Sequence, residues 1–240
     1  MRDVLLVFTN PLGEEHDRFN DWYTNVHIRD VMRMPTSIAV QRFRQGEEQL
    51  DPSLTSPFAY LAMYEVDDTV KCTKAHAVSM TPALPISDTF DLTSPASYYR
   101  VRSFTTADPL APREGALIVI QFDGEFDAAR AAMLAGRHGV LSVTHVEACG
   151  DRLIDRDPVS SHLVLLRLSD PVAAVRAWPE LQVASGITAA SLYHPVIGRL
   201  TADKVANASP EDQQREDRSR AALENAQHRL VFKDGAVQPA

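Results

Sequence analysis

The chain has 240 residues, 45% apolar and 23% charged, with a net charge of −8 and a pI near 5.5. That composition suits a globular protein with a sizeable core, and the acidic balance argues against a nucleic-acid or anionic-membrane surface. No basic n-region followed by an apolar h-region opens the sequence, and no apolar run approaches the ~18 residues of a membrane span, so no membrane partner and a cytoplasmic address are expected.

In chain order, "DVLLVFTN" is a short strand ending at the turn Asn10-Pro11-Leu12-Gly13. "EEHDRFNDWYTNVHIRDVMRM" then sets Phe19, Trp22, Tyr23, Val26 and Val31 at helical spacing, and Pro35 stops the helix. "SIAVQRFRQ" alternates as a strand, residues 46–57 form a polar loop, and "FAYLAMYEV" is a third strand. "DTVKCTKAHAVSM" reads as a helix with Asp67 or Asp68 as N-cap, and "SYYRVRSF" as a fourth strand. The order β-α-β-β-α-β over residues 1–105 is the split βαβ, or ferredoxin-like, unit.

After a connector over 106–114, rich in Pro and charge, the order starts again over 115–202. "ALIVIQF", "VLSVTHVEA", "HLVLLRL" and "AASLYHPVIGRL" are strands. "FDAARAAMLAGR" and "DPVAAVRAW" are helices, the latter with Pro171 in its first turn. The fold class expected is therefore α+β, with two tandem βαββαβ units closing an intrachain α+β barrel by burying their bare sheet faces against each other. Residues 203–240 form a C-terminal helical extension, with Ser209 and Pro210 as N-cap and first helical residue and a thin apolar stripe. It is expected to be solvated and docked on the barrel or on a second chain, without catalytic work.

Strand alternation shows what could line a cavity. Tyr98, Arg100 and Arg102 share one face of the fourth strand; Ile38, Val40, Arg42 and Arg44 share one face of the second; Tyr60, Ala62 and Tyr64 share one face of the third. A face of tyrosines and arginines is too polar for a dry sheet-to-helix core, so it is expected to face a cavity or solvent.

With that order and the motif Phe19-x-x-Trp22-Tyr23-x-x-x-His27, then Pro35, then Arg42 and Arg44, the chain resembles the dimeric α+β barrel superfamily, and within it the EthD-like branch. The likeness is specific over about 25 residues and architectural elsewhere. The second unit lacks the Trp-Tyr pair and a matching His, His138 falling near its helix end, so the resemblance implies a fused pseudo-dimer in which one half keeps the site. Enzymes of that superfamily include cofactor-independent isomerases, polyketide cyclases, dehydratases and quinone-forming monooxygenases, and other members bind haem.

His27 is the leading general base, since imidazole exchanges protons near neutral pH. The plain alternative is a charge stabilising the helix C-terminus. Tyr23 lies one turn earlier and Asp30 three residues later, where it could orient the ring. Trp22 reads as a wedge between helix and sheet and as a wall of the substrate site. Asn20 and Asp21 are expected to be solvated, Arg29 to pair on the surface, and His76 to pack. His145 and His194 could reach the cavity from the second unit. Tyr98 with Arg100 or Arg102 is the candidate anchor for an anionic substrate group, through the planar arginine fork, or else forms plain salt bridges. Tyr64 and Arg42, on the same polar faces, join Tyr98, Arg100 and Trp22 as substrate-binding candidates.

Cys72 and Cys149 match no metal spacing and read as small buried residues of a reducing compartment; no His-x-x-x-His, carboxylate cluster or glycine-rich phosphate loop appears. No metal and no cofactor are expected, although a lone histidine leaves haem ligation open. The expected activity is cofactor-independent acid–base chemistry on a small aromatic or polycyclic acid or ketone, of isomerase, cyclase or lyase type. A cofactor-free, oxygen-dependent monooxygenase and a non-enzymatic ligand-binding module are the alternatives. The expected partner is a small-molecule substrate, with room for a homodimer.

Overall fold

The computed structural model describes residues 3–67, 84–91, 93–105, 115–152, 157–225, 230–233 and 236–239. The expected helix over 68–80, with Cys72 and His76, and the connector 106–114 lie outside the described residues. The first half contains β1 (Asp3–Thr9), α1 (His16–Trp22), a π-helical turn (Tyr23–His27), α2 (Ile28–Met32), β2 (Ser37–Gln45), β3 (Tyr60–Val66), a short β4 (Leu84–Ile86) and β5 (Ala96–Phe104). The second contains β6 (Ala116–Phe122), α3 (Ala128–Leu134), β7 (Val140–Arg152), β8 (His162–Leu168), α4 (Pro171–Arg176), α5 (Trp178–Leu181) and β9 (Ile187–Thr201).

Eight strands close into one barrel, ordered β1-β3-β2-β9-β6-β8-β7-β5. Both halves contribute four strands in the same internal order, β5-β1-β3-β2 and β9-β6-β8-β7. The halves join through antiparallel β2–β9 and β5–β7 pairs, so the outer strand of each half finds a partner and closure leaves the barrel no open edge.

Strands β1, β3, β6 and β8 are buried on both faces along nearly their whole length, which explains runs such as "ALIVIQF" and "HLVLLRL" that do not alternate. One face fills the barrel: Val4, Leu6, Phe8, Leu61, Met63, Tyr99 and Val101 of the first half meet Leu117, Val119, Val146, Leu163 and Leu165 of the second. The other face lies under the helices. Leu5, Val7, Val40, Tyr60, Ala62, Tyr64 and Tyr98 pack against Phe19, Trp22, Tyr23 and Val26. Ile118, Ile120, Val164 and Leu166 pack against Ala131, Leu134, Trp178 and Leu181.

This overturns the expected orientation of the polar faces. Tyr60, Tyr64, Tyr98 and Arg42 lie in the helix–sheet layer, while the alternate face, with Phe43, Leu61, Met63, Tyr99 and Val101, fills the barrel and also carries the buried polar residues Gln41, Glu65 and Arg167. The helix–sheet layer tolerates its tyrosines and Arg42 because the helix brings its own polar groups to meet them. His145 and His194 also sit outside the barrel. The neighbours of His145 are Phe122, Phe126 and His162, and His194 is exposed beside Gly46.

The tail is more than a helix. Thr201 caps α6 (Ala202–Ala206), and Ser209 caps α7 (Pro210–Glu224), as its Ser-Pro start predicts. Beyond it, β10 (Leu230–Lys233) and β11 (Ala236–Pro239) form a hairpin that pairs with β4. α7 docks on its own chain through ions. Arg33 donates to both carboxylate oxygens of Glu216 at 2.7 and 2.8 Å, and Arg220 bridges Glu216 and Asp30. Among the described residues, no helix is long and apolar enough to cross a membrane.

Candidate active site

The helix from His16 to Met32 contains neither Gly nor Pro, and its inward apolar residues drive it onto the sheet. Its middle winds as a π-turn over Tyr23–His27, a feature often found at functional sites. Five-residue spacing sets Trp22 and His27 on one side, with ring centroids 5.0 Å apart, and Tyr23 meets the His27 ring edge-on at 4.8 Å. The helix continues through Met32, so His27 does not cap its C-terminus. The Trp22 indole N–H donates to the Pro85 carbonyl at 3.1 Å and ties this turn to β4.

Arg42, on β2, enters this layer from the sheet. It is 1% exposed, and its guanidinium lies 4.2 Å from the Tyr23 ring centroid. Nη1 donates to Thr24 Oγ1 at 2.6 Å and Nη2 to Asn20 Oδ1 at 3.0 Å. Asn20 Nδ2 donates in turn to the Tyr60 hydroxyl at 2.8 Å, and that hydroxyl lies 2.9 Å from His16 Nδ1. With its oxygen already accepting from Asn20, the Tyr60 hydroxyl can give its proton to His16. The chain then runs in one direction, Arg42 to Asn20 to Tyr60 to His16. Among the described residues, no carboxylate pairs with Arg42. Burial pushes its guanidinium below the ordinary value, and the neighbouring Tyr23, Tyr64 and Tyr60 phenols only partly oppose this.

The Tyr64 hydroxyl donates to that of Tyr23 at 3.4 Å. Burial raises the Tyr23 phenol, with the Tyr64 hydrogen bond and Arg42 working against it. Burial raises Tyr64 further, and Tyr23 adds to the effect. Both are therefore protonated hydroxyls at neutral pH, and since Tyr64 gives its proton to Tyr23, the Tyr23 O–H is the one left to donate. Phe19 and Phe90, stacked with planes 2° apart, complete the aromatic wall.

Of the residues singled out from the sequence, His27, Tyr23, Trp22, Tyr64, Arg42 and Tyr98 share this layer. Asp30 does not orient His27: its carboxylate is taken by Arg33 and Arg220 at the α7 interface. Arg100 does not join Tyr98, because it lies half-exposed with Asp3 at 4.0 Å. Arg102 pairs with Glu147 on the adjacent strand. Asn20 is a partner of Arg42 and not a solvated residue, while Asp21 accepts from Asn25 at the surface. Arg29 is buried, and His138 lies 3.0 Å from Glu180. The sequence motif does not single out His16 or Thr24, and it marks Tyr60 only as part of a polar strand face. The signal for them was the polar stripe His16-Asn20-Thr24, at i, i+4, i+8 on the helix face that carries Phe19 and Tyr23. Among the described residues, no group of three His, Cys, Asp or Glu could hold a metal ion.

No protein-family model matches the chain, and no curated protein matches it in sequence. Among solved structures it is similar to a crystal structure of an anthrone oxidase-like protein, with a TM-score of 0.56 and 12% identity over 87% of this chain and 96% of that one. It also matches a candidate monooxygenase from Fusobacterium nucleatum subsp. nucleatum (TM-score 0.47, 9% identity, 82% and 93% covered). A candidate chlorite dismutase gives a TM-score of 0.47 and 13% identity, with 86% and 98% covered. At 12% identity the first likeness is one of architecture, an α+β barrel.

Proposed function

We propose that the first half of the barrel carries a cofactor-free oxygenase site for an aromatic ketone or phenol that ionises to an enolate or phenolate. The observation that carries this is Arg42: a buried guanidinium whose described partners are all neutral, held against an aromatic wall. Such a cation is set to stabilise negative charge that develops on a bound oxygen, the strongest kind of transition-state stabilisation a dry site offers. His27 and Arg42 both touch Tyr23, one on the ring edge and one over its face, so a proton acceptor and an anion stabiliser flank one aromatic plane.

In the reaction, His27 takes a proton from the activated C–H of the substrate, and Arg42 with the Tyr23 hydroxyl, itself accepting from Tyr64, holds the resulting oxyanion. Dioxygen adds at the carbanionic carbon to give a hydroperoxide. Loss of the second C–H proton with hydroxide then leaves a new carbonyl. The balance is CH2 + O2 → C=O + H2O, with no external reductant. The name of the fold neighbour, anthrone oxidase-like, supports this choice over an isomerisation, which shares the first step and consumes no oxygen. We also propose that the barrel is a fused pair of ferredoxin-like units of EthD-like type. The support is the equal strand order of the halves and the Trp-Tyr-His motif present only in the first.

An oxygen electrode with an anthrone-type ketone tests the reaction. The expected result is one O2 consumed per ketone oxidised, with Arg42→Met lowering kcat/KM by ~10². Turnover that proceeds equally without oxygen would exclude oxygenation.

A further inference from the structure

A second site, separate from the Arg42 layer, opens on the other side of the same helix. A cleft of about 290 Å³ lies between the π-turn and α2, the end of β9, and α6 with α7. Its charged lining is Arg29, Arg199, Lys204 and Arg215 against a single carboxylate, Asp212. Neighbouring acids cancel only part of this excess: Asp212 is shared between Arg215 at 3.3 Å and Arg29 at 3.5 Å, and Lys204 has no acid of its own among the described residues. Glu65 holds Arg199 in a bidentate pair at 2.6 and 2.7 Å, but Glu216 is already saturated by Arg33 and Arg220.

Arg29 is the telling group. It is 8% exposed, yet its nitrogens stand 3.5 Å from Asp212 and 3.8 Å from Glu216, without hydrogen-bonding geometry, and its buried Nε has no partner. A buried guanidinium left short of acceptors is costly unless an anion completes it. Lys204 is exposed at the rim and has no acidic partner among the described residues. The remaining wall is apolar, with Ile28, Ile197 and Leu200. At Gly198 an added Cβ would meet nothing within 4 Å, which marks open space beside the strand.

We propose that this cleft binds a small organic carboxylate with an apolar body, of about one aromatic ring. The volume lies at the lower end for ligand sites. The arginine fork matches a carboxylate, and the isoleucine and leucine wall matches a ring better than a bare inorganic anion. The proposal does not rest on the oxygenase reaction, because binding is read without turnover. The two sites share only Thr24, which lines the cleft and accepts from Arg42.

Calorimetry on the full chain at pH 7 with benzoate, inorganic phosphate and benzyl alcohol as probes tests it. Benzoate is expected to bind, and to bind at least ~10-fold more tightly than either of the others, since each lacks one half of the recognition. Two variants address the site. Lys204→Gln with Arg215→Gln removes rim charge from exposed positions, and Gly198→Leu fills the cleft from a position whose backbone any residue can adopt. Each is expected to weaken benzoate by ~10-fold or more while the melting temperature holds. No benzoate binding, phosphate binding as tight as benzoate, or benzoate binding unchanged in both variants would each overturn the assignment.

Discussion

A guanidinium buried among aromatic rings with only amide and hydroxyl partners costs stability, because its desolvation is not offset by a carboxylate. Stacking over Tyr23 returns part of that cost, of the order of 1–2 kcal/mol for a desolvated cation–π contact. Replacing Arg42 by Met, which has similar length and no charge, is therefore expected to leave stability nearly unchanged: two hydrogen bonds are lost and one ionic desolvation is relieved. For a chain of this size, a change of about 1 kcal/mol shifts the melting temperature by about 2–4 °C. Calorimetry should find the variant within that range of the parent while its catalysis collapses. A fall of 10 °C or more would make Arg42 a structural residue and remove the basis of the proposed site.

At the scale of elements, the C-terminal helix shows how little apolar surface docking needs when ions are well placed. α7 offers few apolar contacts, Leu223 among them, yet Glu216 is 2% exposed beneath Arg33 and Arg220. Burial pushes the Glu216 carboxyl up, but the Arg33 and Arg220 hydrogen bonds outweigh it and hold the group below the ordinary value of 4.5. A carboxyl depressed on folding contributes stability above its ordinary value and loses it as pH falls through the depressed one. Docking of α7 is therefore expected to be intact at neutral pH and to weaken below about pH 4.5. Glu216→Gln, which leaves the arginines unpaired, should release the helix at pH 7 at a cost of about 2 kcal/mol. That is less than the ~3–5 kcal/mol of a fully buried pair, because Arg33 and Arg220 are partly exposed. Hydrogen exchange over 210–224 checks both, and protection that is unchanged in the variant at pH 7 would show that the ions are not what holds the helix. The helix itself was legible in its Ser209-Pro210 start. The hairpin after it was not, because its pairing depends on β4, which the sequence places far away. The π-turn was equally hidden, since 3.6-residue spacing fits Phe19, Trp22 and Tyr23, and only packing decides that His27 returns to the side of Trp22.

For the whole molecule, the alternation along each strand showed which residues travel together but not which group goes inside. Tyr98 and Tyr99 are equally buried, on opposite faces. What decides is complementarity between layers. The His16-Asn20-Thr24 stripe can satisfy Arg42 and Tyr60, so their face goes under the helix, and the alternate, mainly apolar face is left to meet the other half, where Gln41 of one half accepts from Arg167 of the other. The barrel interior is consequently shared property: Leu6, Met63 and Val101 have no core without Leu117, Val146 and Leu165. The halves should then unfold as one unit, although each carries its own helix layer. The two tryptophans allow a direct check, since Trp22 reports the first outer layer and Trp178 the second. Fluorescence of Trp22→Phe and Trp178→Phe variants in urea, each reporting one half, should give transitions of equal slope that coincide with circular dichroism of the same variant. Leu165→Ala, which empties space in the shared interior, should cost about 2–5 kcal/mol and move both signals by the same amount. If the Trp178 transition moved while that of Trp22 stayed, the interior would not couple the halves, and closure through β2–β9 and β5–β7 would be an association of two independent folds.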